Sequence, residues 1–152
     1  MIRKVFLKDF YKGYKKMDMQ DDEIIIEITF DLPEKNTWFN FEKVCKRQYL
    51  DIATVNTAIG MTMNHDIIIS AHCSAGGVSP VPLYLRKTSS VLSGQKLSVE
   101  LIRRAAEILV TEIAPISDVR GSSEYKRLLL RQLFYSHFIN MFPFMFELKE
   151  LI

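Results

Sequence analysis

The fold is decided by one stretch of sequence, ATVNTAIGMTMNHDIIISAHCSA, which runs from residue 53 to residue 75. In its first part, every second residue can share one buried face, and such alternation predicts a β-strand. That face carries Ala53, Val55, Thr57, Ile59, Met61 and Met63. The turn sequence Asn64-His65-Asp66 then leads into a second run of strand length. The stretch therefore predicts an antiparallel hairpin.

Two more strands are predicted upstream. The alternation in IIIEITF, residues 24–30, indicates a strand with one buried face, and the aromatic-rich residues 38–46 indicate another. Two residues break these patterns, because Ile25 is a large aliphatic on the otherwise polar face and Lys43 shares its face with aromatic residues. Both could contact a flat, partly anionic cofactor. An edge strand whose lysine reaches water explains Lys43 equally well.

The second half of the chain is predicted to be helical. The glycine- and proline-rich residues 76–82 end the sheet, and a first helix is expected over about 82–92. Ser98 is expected to cap a second helix. A third helix begins near Ser122 and should stop or kink at Pro143. Strands followed by helices predict an α+β fold, with an antiparallel sheet of three to four strands followed by three helices packed on one face.

Composition narrows the class of protein. The 152 residues, 48% of them apolar and 25% charged, are suited to a single domain over residues 1–152. A net charge of +2 is too small to favour nucleic acid or an anionic membrane surface, and the basic patch at 11–16 is followed by an acidic one at 21–23. With no long apolar run and no signal peptide, no membrane partner is expected and the chain is predicted to be cytoplasmic.

The sequence carries none of the common catalytic signatures. There is no phosphate-binding loop, no HExxH and no GxSxG, and the three histidines do not form a metal-binding set, so neither catalytic nor metal residues are predicted. Cys45 and Cys73 are interpreted as reduced, buried thiols. Gly76-Gly77 fits either a tight turn or a close approach of the backbone to another group. The apolar tail at 142–148 should pack on the core, on a neighbouring domain or on a second copy of the chain.

The segment PISDVRGSSEYKR, residues 115–127, resembles a signature in the C-terminal domain of the FAD-binding subunit of molybdenum hydroxylases. This is the family of xanthine dehydrogenase and aerobic carbon monoxide dehydrogenase. Three other blocks are similar to the same family in the same order: FYKGYKK (10–16) with DEII (22–25), KVCKR (43–47) with DIA (51–53), and GGVSPVP (76–82). The resemblance extends over residues 5–138, and the sequence of the first block is more similar to the xanthine dehydrogenase branch of the family.

The resemblance implies a flavin-covering domain and gives four residues a role toward FAD. Ile25 matches an aliphatic residue that packs on the isoalloxazine ring, and Lys43 matches a lysine at the edge of the flavin. Arg47 and Asp51 match the ends of a loop near which the nicotinamide cofactor or oxygen arrives. A cation beside the flavin favours its reduced, anionic form. Because the loop departs from the family pattern, as at Gln48, the final electron acceptor stays open between NAD and another molecule.

The resemblance also implies partners. In the family an upstream domain holds the FAD pyrophosphate with glycine-rich loops, and we expect that domain to be absent from residues 1–152. Electrons would pass from a molybdenum site through Fe–S clusters to FAD, so Fe–S and molybdopterin subunits are the expected partners. The isolated chain should then be inactive and bind FAD weakly or not at all. The residues leave an alternative, a free-standing dimerisation module without catalytic activity that forms a homodimer through the apolar C-terminal tail.

Overall fold

The computed structural model describes residues 2–152 and begins with two small elements. These are the one-turn helix α1 (Leu7–Phe10) and a hairpin of β1 (Tyr11–Gly13) and β2 (Lys16–Met17). Arg3 ties this part of the chain together, since its guanidinium donates to the Glu23 carboxylate at 2.6 and 2.7 Å.

A five-stranded antiparallel sheet forms the centre of the domain. Its long strands are β3 (Thr37–Val44), β4 (Val55–Asn64) and β5 (Ile67–Gly76), and the short strands β6 (Leu83–Tyr84) and β7 (Gln95–Lys96) both pair with β5. The predicted hairpin of β4 and β5 is confirmed. His65 at its turn adopts a φ of 54°, the left-handed region that a tight turn requires. Strand β3 lies at the edge, and its own prediction is confirmed to within two residues.

The strand predicted at residues 24–30 is wrong. Ile24 is 83% exposed and Phe30 is 76% exposed, and the segment has no regular secondary structure. Alternation alone does not make a strand, because the backbone N–H and C=O groups also need a partner strand. Within residues 2–152 the free edge of β3 is not paired with this segment. Ile25 accordingly does not lie on a strand.

Helices α2 (Arg86–Leu92), α3 (Val99–Glu112), α4 (Ser123–Met141) and α5 (Leu148–Leu151) follow the sheet. The first begins four residues later than predicted, because Leu83 and Tyr84 pair with β5 instead. The other boundaries are confirmed. The Ser98 hydroxyl caps α3 by accepting from the backbone N–H of Leu101, and Ser122 caps α4 in the same way. Helix α4 ends at Met141, ahead of Pro143.

The helices cover one face of the sheet, where the core lies. Strand β4 contributes Val55, Ile59 and Met61, all at most 1% exposed, and α4 contributes Leu130 and Phe138. The α+β architecture predicted from the sequence is therefore confirmed, with two extra short strands in the sheet. Within residues 2–152, no helix lies over the opposite face. We call it the open face, and it carries Phe39, Phe41, Lys43, Ala58, Gly60, His72 and Ser74.

Candidate functional site

The loop between β3 and β4, residues 45–54, brings three of the four candidate residues together. Lys43 lies at the end of β3 on the open face, and its Nζ donates to the backbone carbonyl of Asp51 at 2.8 Å. The Asp51 carboxylate accepts from the backbone N–H of Arg47 at 2.8 Å. The Arg47 guanidinium in turn reaches the carbonyl of Leu50 at 2.9 Å and lies 3.6 Å from the Asp51 carboxylate. These contacts fold the loop into one compact unit.

Asp51 organises this β3–β4 loop. Its side chain is 16% exposed, whereas that of Arg47 is 71% exposed. The backbone N–H of Arg47, followed by the charge of its guanidinium, holds the pKa of Asp51 below its usual value, so the carboxylate stays ionised at neutral pH. Arg47 thus offers an accessible cation on a fixed backbone. Leu50 adopts a φ of 49° and is 97% exposed, so an apolar side chain stands at the tip of the loop.

Ile25 does not belong to this arrangement. It is 61% exposed and lies in the segment without regular secondary structure that also carries Ile24 and Ile26. Seven residues there, 24–30, present five large apolar side chains to solvent. The surface of a soluble protein seldom exposes so many apolar groups together. Such a patch is typical of a surface that another domain or subunit covers.

The open face also contains a shallow groove. Its volume is about 240 Å³, and its floor is made of small residues. The residues around it are Phe39, Ala58, Gly60, His72, Cys73, Ser74 and Tyr84. His72 Nδ1 lies 2.8 Å from the hydroxyl of Tyr84, which closes one side of the groove.

A complete FAD site would need groups for the isoalloxazine ring and a cradle for the pyrophosphate. The loop and the open face provide a cation and apolar groups suited to the first. The only glycine pair, Gly76-Gly77, is not available for the second. Gly77 has a φ of 80°, and a Cβ there would clash with the backbone carbonyl of Thr54. The pair therefore serves the chain's own tight turn, and the described residues fit one side of a flavin site only.

The structural roles of two lysines, Lys126 and Lys46, were not recognised in the sequence. Lys126 on α4 is 2% exposed, and its ammonium lies 2.8 Å from the Asp118 carboxylate. Lys46 of the β3–β4 loop donates to the carbonyl of Val119. Lys126 is four residues before the inward-facing Leu130, so the helical period was a signal that this lysine faces the core.

The two cysteines differ in burial. Cys73 is 1% exposed, and burial raises the pKa of its thiol to about 12. Cys45 is only half-buried, and its Sγ donates to the Arg47 carbonyl at 3.0 Å, so the prediction of two buried thiols is wrong for this residue. Over residues 2–152, no helix has the length and apolarity needed to cross a bilayer. The same part of the chain holds no cluster of metal-binding side chains.

Relatives of this chain are known flavoproteins and dehydrogenases. It is 26% identical to xanthine dehydrogenase 1 of Arabidopsis thaliana over 143 residues, covering 91% of this chain and 10% of that protein. It is 24% identical to the nicotinate dehydrogenase FAD-subunit of Eubacterium barkeri, covering 91% of this chain and 48% of that subunit. The chain thus spans about half of a dedicated FAD subunit and a tenth of a xanthine dehydrogenase.

A solved structure agrees with these relatives. The crystal structure of a Cu,Mo-CO dehydrogenase in its cyanide-inactivated form contains a chain that superposes with a TM-score of 0.78 at 26% identity. The match covers 85% of this chain and 45% of the other. The family model described as the CO dehydrogenase flavoprotein C-terminal domain matches residues 41–141. That range includes Lys43, Arg47 and Asp51 and about two thirds of the chain, which therefore belongs to the CO dehydrogenase flavoprotein C-terminal domain family.

Proposed function

We propose that this chain is the flavin-covering domain of an oxidoreductase of the xanthine dehydrogenase type. In this proposal a separate FAD-binding domain, corresponding to the half of the FAD subunits that this chain does not match, holds the pyrophosphate. Electrons arrive from molybdenum and Fe–S centres on partner subunits, and FAD passes them to NAD or another acceptor. The site residues are Ile25, Lys43, Arg47 and Asp51.

The observation that carries the proposal is that Lys43, at the end of β3, lies together with Arg47 and Asp51 of the β3–β4 loop beside an uncovered sheet face. A lysine held by a carbonyl at 2.8 Å has a defined position, and its remaining N–H groups stay free to donate. In the proposal, Lys43 lies at the edge of the flavin, where its charge favours the form that carries extra electrons. Arg47 and the apolar Leu50 flank the path of the acceptor.

The exposed segment at residues 24–30 supports a contact between this chain and the FAD-binding domain. Ile25 is proposed to exclude water from the flavin once the FAD-binding domain covers this segment. Burying five large apolar side chains would contribute roughly 1.5–3 kcal/mol each, enough to hold two domains together. The domain alone then exposes a surface that the assembled protein would cover.

The alternative of a free-standing dimerisation module has less support. The apolar tail was its main argument, and part of that tail packs on the chain's own core. Phe146 is 5% exposed, and the Phe142 ring packs at a tilt against Trp38, with the ring centroids 4.8 Å apart. Phe144 is fully exposed, and Met145 and Leu148 are about half exposed, so only these side chains of the tail remain for a contact with a second copy.

The composition of the native complex tests the proposal. The chain would be tagged at its own locus, purified under mild conditions from the organism that carries it, and analysed for flavin, iron and molybdenum. We expect all three in fixed ratio to the chain. A second preparation made with the isolated chain should contain no flavin. Native preparations that contain the chain as a homodimer without flavin or metal would instead support the dimerisation module.

A further inference from the structure

A second network of contacts joins the β3–β4 loop to a distant part of the chain. The ammonium of Lys46 donates to the carbonyl oxygen of Val119, 73 residues further along. Lys46 lies directly between Cys45 and Arg47, so this contact fixes the backbone from which the Arg47 side chain projects. The loop is thus held from outside as well as by the Asp51 carboxylate.

Val119 lies at the tip of a small hairpin, residues 118–121, that is itself well fixed. Asp118 and Gly121 exchange backbone hydrogen bonds of 3.0 and 3.1 Å. The Asp118 carboxylate also accepts from the backbone N–H of Arg120 at 2.9 Å. A carbonyl presented by such a closed turn is a defined acceptor rather than one of many that a flexible loop could offer.

The hairpin is attached to α4 through an ion pair in which the lysine is buried and the aspartate is partly exposed. Lys126 Nζ lies 2.8 Å from Asp118 Oδ2 and donates to the carbonyl of Ile116 at 2.9 Å. A cation that is 2% exposed is costly to bury unless its partners are well placed, so this geometry tolerates little change. The hydrogen bond from the Lys126 ammonium, followed by the one from the backbone N–H of Arg120, holds the pKa of Asp118 below its usual value.

We propose that Asp118 and Lys126 are positioning residues for the β3–β4 loop, acting through the Val119 carbonyl on Lys46. The signature at 115–127 would then serve to hold Arg47 where the electron acceptor arrives. That last consequence rests on the proposed function, whereas the control of loop geometry does not.

The thiols offer a direct test in the chain as it stands. Cys73 is buried, so a maleimide should react first with the half-buried Cys45, which lies next to Lys46. We expect Lys46→Met to speed native labelling of Cys45 about fivefold to tenfold, since a hydrogen bond from a charged donor no longer closes the loop. Removing a nearby positive charge does not by itself make a thiol react faster, so acceleration would report release of the loop.

A double-mutant cycle shows whether Asp118 acts on the loop through Lys46 or independently of it. Asp118→Asn, remote from the thiol, should also accelerate Cys45, and the double variant with Lys46→Met should be no faster than the faster single variant. Lys35→Met in the turn before β3 is the matched control and should leave the rate unchanged. Labelling of the buried Cys73 reports global unfolding.

Two results would overturn the proposal. One is an unchanged or slower rate at Cys45 in Lys46→Met while Cys73 stays protected. The other is fully additive acceleration in the double variant, because the two sites would then act independently. Since the assay contains no flavin, a positive thiol result combined with a flavin-free native complex would reject the proposed function and leave the positioning role standing.

Discussion

Lys43 Nζ and the backbone carbonyl of Asp51 are joined by a 2.8 Å hydrogen bond that links the end of β3 to the far end of its loop. The Asp51 side chain closes the same loop from the other direction by accepting from the Arg47 N–H. The residue with the proposed electrostatic role and the residue that shapes the loop are therefore in direct contact. This arrangement makes the loop sensitive to single changes.

Asp51→Ala is predicted to loosen the β3–β4 loop without unfolding the domain. The substitution removes the acceptor of the Arg47 N–H and the partner of its guanidinium, so the chain after Arg47 becomes accessible. Trypsin should then cleave after Arg47 several-fold faster than in the unmodified chain, as measured by mass spectrometry. Asp21→Ala, in an exposed acidic stretch, is the control. Equal cleavage rates in all three proteins would show that Asp51 does not hold the loop.

His137 is predicted to make the domain less stable below neutral pH. It is fully buried, and burial lowers its pKa from 6.5 to about 4. Asn40 donates to His137 Nδ1 at 2.9 Å and to Glu42 at 2.8 Å, so Nδ1 accepts and has no room for a proton. Thr57 donates to the carbonyl of Ser74, which leaves its oxygen facing His137 Nε2.

The sign of the effect follows from which state binds more protons. Between pH 6.5 and about pH 4 the unfolded chain protonates His137 and the folded chain does not. Stability is therefore complete above pH 6.5 and falls as the pH drops through this window, by about 1 kcal/mol between pH 7 and pH 5.5. Urea unfolding should show this loss, His137→Gln should remove it, and His72→Gln should keep it. A slope that survives in His137→Gln would assign the effect to other groups.

Gly77→Ala is predicted to destabilise the domain far more than Gly94→Ala. Both glycines have a positive φ, 80° and 75°, so both substitutions carry the same backbone strain of about 1 kcal/mol. A Cβ at Gly94 would meet open space, whereas one at Gly77 would clash with the Thr54 carbonyl. Thermal unfolding should therefore separate the two variants. Similar melting temperatures would mean that the turn can move away from Thr54.

The sequence was sufficient for those parts of the fold that local patterns determine. The alternation in 53–63 and the caps at Ser98 and Ser122 depend on near neighbours, so β4, α3 and α4 were predicted closely. The segment at 24–30 was misread because a strand depends on a partner that alternation does not reveal. The start of α2 was misread for a similar reason, since pairing of Leu83 with β5 replaced a helical turn.

In the candidate site, too, contacts between residues close in sequence could be predicted, and contacts between distant residues could not. Lys43, Arg47 and Asp51 lie within nine consecutive residues, 43–51, so their proximity could be expected from the chain alone. The contacts of Lys46 with Val119 and of Asn40 with His137 join residues 73 and 97 positions apart. Such pairs follow from how α4 packs against the sheet, which no local pattern contains.

The central claim, that this domain places Lys43 beside the flavin, is tested most directly by the reduction potential of the flavin in the native complex. Lys43→Met removes a charge that favours electron-rich flavin, and the account predicts a midpoint potential lower by about 30 mV or more, which corresponds to ~1.4 kcal/mol for a two-electron couple. Lys35→Met, another exposed lysine close to β3, should leave the potential unchanged. An unaltered potential in Lys43→Met, in a complex that retains its flavin, would contradict the placement of Lys43 at the flavin edge.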